Sequence, residues 1–377
     1  MRRRSVLLIG TAGVLLATGC ASDETVAIVS APPVITQEPA ARVVPVNATA
    51  ELTVTATGSA LSYQWRRNGI PVPGATSARY LFRPVTMTDG GTFDVVVSNR
   101  AGSATTSPVT VRVVTELGPW RNDLRLAAGA SPTTFGSFAI WVRQAGVPSL
   151  ARLPDGRLVG VFQWFPFDDL DAFDQVAVVF SSDSGRTWTS PRRIVITGLP
   201  DTLQRAFDPT ITVTEHGRLR VYFTSSRMMN GRPFGTLGFF SAISSDGLTY
   251  TWEPGVRFMT DKSTVDCAVL RLGDRWHLVS PIGGPGEGAY HATSSDGLTF
   301  TRLPDIPALP PAFTFVGNLV NAGGTLRFVA GSTQGVWFMD YAPARGWSGP
   351  TVLAGVNGGD PALVEAFTGR WLLVNTQ

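Results

Sequence analysis

Lysine is almost missing from this chain: Lys262 stands alone among 31 basic residues, the rest being arginine. We read that as a codon bias rather than as chemistry. Cysteine is nearly as scarce, with only Cys20 and Cys267, so no disulfide framework can hold the fold. The three histidines, His216, His277 and His291, have no metal-ligand spacing, and no phosphate-binding or dinucleotide fingerprint is present. Charged residues make up 16% of the chain, against a usual share of about 25%, which excludes an acidic disordered tail and a coiled coil. The net charge of +3 comes wholly from Arg2, Arg3 and Arg4. The remainder is neutral and leaves no electrostatic footprint for nucleic acid. What is plentiful is glycine (40) and proline (27) in 377 residues. Without collagen periodicity, that excess implies many tight turns and therefore many short strands.

The first twenty residues read as an address. Met1-Arg-Arg-Arg4 is followed by an apolar run from Val6 to Ala17, much shorter than the ~20 residues that span a bilayer. The ending Leu16-Ala17-Thr18-Gly19-Cys20 resembles a bacterial lipobox, with Ala17 where Leu is more usual. The resemblance implies that Cys20 is acylated and becomes the new N-terminus, anchoring the chain to a membrane. Ala21, in place of the Asp that marks inner-membrane retention, points to the outer membrane or cell surface. Residues 21–31 read as a tether.

From residue 32 to 114 short apolar–polar alternations recur, as in Leu52-Thr-Val54-Thr-Ala56 and Phe93-Asp-Val95-Val-Val97. About seven such strands fit a β-sandwich. Trp65 and the run Asp89-Gly90-Gly91-Thr92-Phe93-Asp94-Val95 resemble strands C and F of immunoglobulin-like domains. The paired cysteines of that family are here Val54 and Val95, and Phe93 replaces its tyrosine. A spacer role is favoured over binding, since no aromatic cluster or charge patch stands out.

Residues 119–377 hold a repeat. Val147-Pro148-Ser-Leu150 runs to Gly156-Arg157, and Asp208-Pro209-Thr-Ile211 to Gly217-Arg218. Asp266-Cys267-Ala-Val269 runs to Asp274-Arg275, and Asp360-Pro361-Ala-Leu363 to Gly369-Arg370. A degenerate copy, Gly317-Asn318-Leu319-Val320, lies before the last. Five copies spaced roughly 40 to 60 residues apart suit five four-stranded blades. The last copy stops after two strands, so its outer strands are expected from residues 121–142, closing the ring and removing open edges. The fold class expected is all-β: an Ig-like sandwich followed by a five-bladed β-propeller.

Between copies, Ser181-Ser-Asp183-Ser-Gly185-Arg-Thr187-Trp188 resembles the sialidase Asp-box, with shorter versions around Asp246 and Asp296. In the families it resembles, this turn lies away from the active site, so Asp183, Asp246 and Asp296 read as structural. Five blades with an acid opening the innermost strands resemble instead the arabinanase, xylosidase and fructosidase group of glycoside hydrolases. Gly146-Val147-Pro148 departs from both patterns: sialidases carry Arg-Ile-Pro there, and the arabinanase-like group carries an Asp where this chain has Val147.

The candidate catalytic residues are Asp208, Asp266 and Asp360, at equivalent positions of three blades, together with Glu287 in the run Gly283-Gly-Pro-Gly-Glu287. Crowded carboxylates raise one another's pKa, as a general acid requires. The competing reading makes the three aspartates caps of strand starts. Trp164, Arg227 and His291 are candidate substrate contacts, Trp164 by stacking on a sugar ring. No cofactor is implied; Ca²⁺ at Asp168, Asp169, Asp171 and Asp174 lacks the EF-hand glycine and closing glutamate. Cys267 reads as a small buried residue. Two functions remain open: a glycoside hydrolase acting on extracellular polysaccharide or glycoconjugate, or a non-catalytic surface propeller that holds a glycan or a protein. A monomer is expected.

Overall fold

The computed structural model describes residues 31–230, 232–283, 287–310 and 312–377. The N-terminal address with Cys20, and most of the tether, fall outside them.

The N-terminal unit is a sandwich. One face orders Arg42–Pro45, Val109–Val114, Gly91–Asn99, Ser62–Arg67 and Ile70–Pro71, with Gly102–Thr105 alongside Gly91–Asn99. The pairs Ala50–Thr53 with Arg79–Phe82 and Val34–Gln37 with Thr55–Thr57 make up the rest. The alternating apolar residues of these strands meet inside: Leu52, Val54, Trp65, Phe82, Phe93 and Val95 form one buried core. Val54 and Val95 thus fill by packing the positions where the resembled family has its disulfide. Each buried Val or Phe is worth about 1.5–3 kcal/mol. The Trp65 indole N–H donates to the Ser77 carbonyl at 2.8 Å, so its one polar atom is satisfied.

The second unit is built from five sheets. The first blade comprises Ala145–Arg152, Leu158–Trp164, Gln175–Ser181 and Arg192–Arg193. The second comprises Phe207–Val213, Leu219–Met229, Arg232–Ser244 and Thr249–Phe258. Val195–Thr197 lies parallel to its outermost strand and covers that edge. The third is Ala268–Leu272, Arg275–Pro281, Ala289–Ser294 and Thr301–Arg302. The fourth is Phe313–Ala322, Thr325–Ser332, Trp337–Ala342 and Gly346–Trp347. The fifth joins Gly359–Phe367 and Arg370–Thr376 to Leu124–Gly129 and Ala139–Val142. Leu124 pairs with Thr376 and Gly129 with Trp371, so chain ends far apart in sequence close one sheet. The innermost strands neighbour one another in a closed cycle, which defines a five-bladed propeller. Its second strands, such as Leu158–Trp164 (LVGVFQW), are apolar almost throughout because each blade is covered on both faces by its neighbours.

The Ser-x-Asp turns follow the third strand of the first three blades. Asp183 accepts the backbone N–H groups of Arg186 (3.0 Å) and Thr187 (2.9 Å). Asp246 accepts those of Leu248 and Thr249, and Asp296 those of Leu298 and Thr299, at 2.7 to 2.9 Å. The glycine in each turn has positive φ and fits against a neighbouring side chain. A Cβ on Gly185 would lie 2.2 Å from Leu372 of the fifth blade, and one on Gly247 would lie 2.7 Å from Phe180 of the first. The turns therefore plug one blade into the previous one.

Candidate active site

The innermost strands do not begin smoothly. In the first, second and fifth blades the register slips by a bulge between Gly146 and Ser149, Phe207 and Thr210, and Gly359 and Ala362. A bulge inserts an unpaired residue and re-aims its side chain. That residue is left-handed at every such position: Val147 φ +50°, Asp208 +51° and Asp360 +42°, and Asp266 matches them at +54° in the third blade. Aspartate tolerates this conformation, whereas for β-branched valine it is a genuine outlier. The bulges bring Val147, Asp208, Asp266 and Asp360 together around the channel axis, where they line a void of about 10 Å³, the scale of one water molecule.

The fourth blade contributes differently. Gly317 leaves no room for a side chain, since a Cβ there would lie 2.0 Å from the Val329 carbonyl oxygen. Asn318 instead reaches across the ring, its Nδ2 donating to the carbonyls of Pro148 (2.8 Å) and Pro361 (3.3 Å). Ile211 N–H donates to Ser149 Oγ at 3.2 Å, and the Thr210 hydroxyl to the Cys267 carbonyl. All five blades are thus tied around the carboxylates by hydrogen bonds.

Electrostatics set the three acids apart from ordinary surface aspartates. Each keeps a little surface toward the channel while protein surrounds it on nearly every side. Burial, then the charge of Asp360, raises the Asp208 pKa to about 7, with Arg205 pulling the other way. Burial and the charges of Asp208 and Asp360 push Asp266 well above the usual carboxylate range. Burial raises Asp360 too, against the backbone N–H of Val147, which favours its charged form. The dominant causes at Asp208 and Asp266 are burial and like charge rather than strand-start N–H bonds, so the cap reading loses its physical basis at those two positions. Among the described residues no three His, Cys, Asp or Glu side chains are placed to hold a metal ion.

The surrounding shell is polar and partly unsatisfied. Asp174 is left-handed at φ +63° and accepts from Gln163 Nε2 at 3.0 Å. Its other oxygen pairs with Arg205, whose guanidinium lies 5.4 Å from the Phe207 ring centre. Gln163 Oε1, Asn375 Oδ1 and Thr264 Oγ1 are buried without a hydrogen-bond partner, while the Thr224 hydroxyl faces Asp208 and favours its charged form. Asn375 precedes the partner of Gly359, and Thr264 lies two residues before Asp266. Buried polar atoms left unpaired are rare in folded proteins, and these gather near one end of the channel. A larger void of about 290 Å³ occupies the other end, walled by Leu150, Ile211, Val269, Leu319 and Leu363; the trio does not line it.

The remaining candidates do not join this centre. Glu287 pairs with Lys262 on exposed loops, beside the undescribed residues 284–286. His291 is buried against His277 (Nδ1 to Nε2 3.2 Å), Tyr341 and Trp347, with Trp347 Nε1 donating to it at 3.2 Å. Burial and His277 lower its pKa to about 3, which marks a neutral core histidine. Trp164 is half-buried in the core between the fifth and first blades, and Arg227 is exposed on the long hairpin of the second blade. Cys267 is buried and its thiol pKa is raised by burial, in line with a packing role. Sequence reasoning missed Arg205 and Thr224; the signal available was, for Arg205, its place three residues before Asp208 and, for Thr224, its place opposite Phe207 on the facing strand.

No protein family matches the chain, and no curated protein does either. Solved structures do resemble it. A chimeric titin Z1Z2 carrying an exogenous decorin peptide is 25% identical over 24% of this chain and all of that one, at TM-score 0.22. An α-L-arabinofuranosidase from Clostridium thermocellum is 17% identical over 60% of this chain and 80% of that one, at TM-score 0.44. A xylan β-1,4-xylosidase from Bacillus halodurans is 14% identical over 86% of this chain and 56% of that one, at TM-score 0.36. Likeness at this level reaches no further than architecture, so the functional reading is taken from the site's own residues.

Proposed function

We propose that this is a glycan-directed propeller whose three aspartates form the acid–base centre of a glycoside hydrolase acting on extracellular polysaccharide or glycoconjugate. The observation behind this reading is that Asp208, Asp266 and Asp360 share one end of the channel, where burial raises all three and neighbouring aspartate charge adds to the rise at Asp208 and Asp266. The environments divide the roles. Asp266 has no cation beside it and keeps its proton longest, which suits a general acid giving that proton to the glycosidic oxygen as the C–O bond breaks. Asp208, beside Arg205, and Asp360, beside the Val147 N–H, ionise more readily and suit a base that takes a proton from the attacking water. The trio titrates as a coupled unit.

A second reading, glycan binding without cleavage, is favoured by Val147, which places an apolar side chain where three other blades carry an acid. Purified protein assayed on arabinan, xylan, fructan and sialosides separates the two. Turnover in the parent that disappears in Asp266→Asn supports hydrolysis; no turnover on any of them, with glycan binding retained in both proteins, supports the second reading. We further propose that Cys20 is lipidated and holds the protein at the cell envelope. Membrane association that survives Cys20→Ala overturns that anchor.

A further inference from the structure

The sandwich does not hang from a flexible linker. Its Val43 and Val114 pack with Trp120 of the connecting segment against Phe165, Phe167, Leu170 and Phe173 of the first blade. Val43 N–H donates to the Phe167 carbonyl at 2.8 Å, and the Arg112 guanidinium lies 4.7 Å from the Phe173 ring centre. Phe173 meets Phe165 edge-on at 5.8 Å and Trp120 at a tilt at 6.0 Å. All these propeller contacts lie on one loop, residues 165–173, between the second and third strands of the first blade. Asp169 stiffens the loop from within, accepting the N–H groups of Asp171 (3.1 Å) and Ala172 (3.0 Å).

The next residue in the chain is Asp174. Its N–H donates to the Trp164 carbonyl at 2.7 Å, and its carboxylate grips Gln163 and Arg205. Arg205 lies three residues before Asp208 and stacks on Phe207. A short continuous path of packed rings, backbone bonds and one ion pair therefore joins the sandwich to the carboxylate centre. Packed groups with few alternative arrangements are what transmit position over such a distance.

We propose that the sandwich is a positioning element of the propeller: by clamping the 165–173 loop it fixes Asp174, and through Asp174 it holds the Arg205 guanidinium beside Asp208. Asp174 and Arg205 are positioning residues in this scheme, and Arg112 is the part of the sandwich that can be altered most cleanly. Its side chain is exposed on the outside of Val109–Val114, so removing it spares the sandwich core. The inference deepens the acid–base reading, because it concerns the charge state of the same centre, but its readouts do not require turnover.

The test uses the full chain as parent, Arg112→Ala, Arg112→Lys and Asp174→Asn, each with and without Asp208→Asn. Unfolding free energy is measured from pH 4 to pH 9, and the difference made by Asp208→Asn gives the midpoint at which this centre titrates. Loss of the clamp lets Arg205 drift from Asp208, so the midpoint rises by roughly 0.5–1 pH unit in Arg112→Ala; Asp174→Asn also removes a negative charge that raises Asp208, so that variant is read by hydrogen exchange instead. Arg112→Lys keeps a cation over Phe173 and restores most of the shift. Hydrogen exchange is expected to quicken about tenfold in residues 203–208 as well as in 165–174. Faster exchange confined to the loop in both variants, with the midpoint unmoved in Arg112→Ala, would overturn the proposal and leave the interface as a tether. A shifted midpoint in a protein that cleaves no glycan would sustain the positioning role while the hydrolase reading failed.

Discussion

At the far end of the propeller, Asp183, Asp246 and Asp296 each accept two backbone N–H bonds in a turn. Those donors hold all three below the usual carboxylate range. At the strand-start end, Asp208, Asp266 and Asp360 are also carried one to a blade, yet burial drives all three the other way, helped at Asp208 and Asp266 by the charge of neighbouring aspartates. The residue type and its repetition are shared; the difference is whether dipoles or like charges surround it. Aspartates of the first kind stabilise the ring while ionised, and those of the second kind strain it while ionised. Groups that a fold retains against its own stability are candidates for chemistry.

The sharpest way to break this contrast is by activity. Asp266→Asn and Asp208→Asn are each expected to lower hydrolysis by about 10²–10⁴-fold, the usual worth of general acid–base help. Asp246→Asn at the far end should leave the turnover number unchanged. Equal losses at both ends, measured on one glycan substrate, would mean that the ends do not differ in role.

The second test is pH. Asp208 has a folded pKa of about 7 against an unfolded value near 3.9. A carboxyl raised in this way stabilises fully below the unfolded value, and the contribution is lost as pH climbs through the folded one. Asp208→Asn removes that loss while keeping the side chain's volume and its tolerance of a left-handed backbone. Denaturant unfolding should find the variant more stable than the parent by about 1–3 kcal/mol at pH 8, and the two should converge near pH 4. The far-end acids carry the opposite slope: their contribution is present above the unfolded value and lost as pH falls through their lower folded values.

A smaller effect is expected from the far-end turns themselves. Asp296→Ala leaves the N–H groups of Leu298 and Thr299 to water, and by analogy with helix caps it should cost about 1 kcal/mol, with some of that recovered because the turn is exposed. Its thermal unfolding would be compared with that of Asp296→Asn, which keeps an acceptor. The smallest effect concerns Val147. Replacing it by Asn relieves the left-handed strain of a β-branched residue and should raise stability by about 0.5–1 kcal/mol. A decrease would show that the methyl contacts of Val147 outweigh its backbone strain.

Much of the architecture was legible in local chemistry. Alternating apolar residues around Trp65, Val95 and Val97 announce a sandwich, and the Asp-Pro to Gly-Arg repeat counts the blades. The truncated last copy calls for outer strands from residues 121–142, and they come from Leu124–Gly129 and Ala139–Val142. The Ser-x-Asp pattern is legible because its serine and aspartate side chains bond to residues at most four positions away. Legibility faded wherever a role depends on a partner distant in the chain. Glu287 reads as a poised acid until Lys262 is seen beside it, and His291 as a ligand contact until His277, Tyr341 and Trp347 enclose it. The sandwich reads as a spacer because the aromatic side of its interface belongs to residues 165–173 of another unit.

By itself the sequence determined the strand periodicity, the number of repeats and the turns, since each depends on steric and hydrogen-bonding preferences over a few residues. It also placed Asp208, Asp266 and Asp360 at equivalent points of three repeats. Only the tertiary structure decided what those positions mean. Ring closure carries residues up to about 150 positions apart onto one axis, and bulges with left-handed φ turn their side chains toward it. Coulomb repulsion and desolvation fall off with distance in space, not in sequence. The same three aspartates spread along an open chain would be ordinary carboxylates; gathered at the mouth of the channel, they bind their protons more tightly.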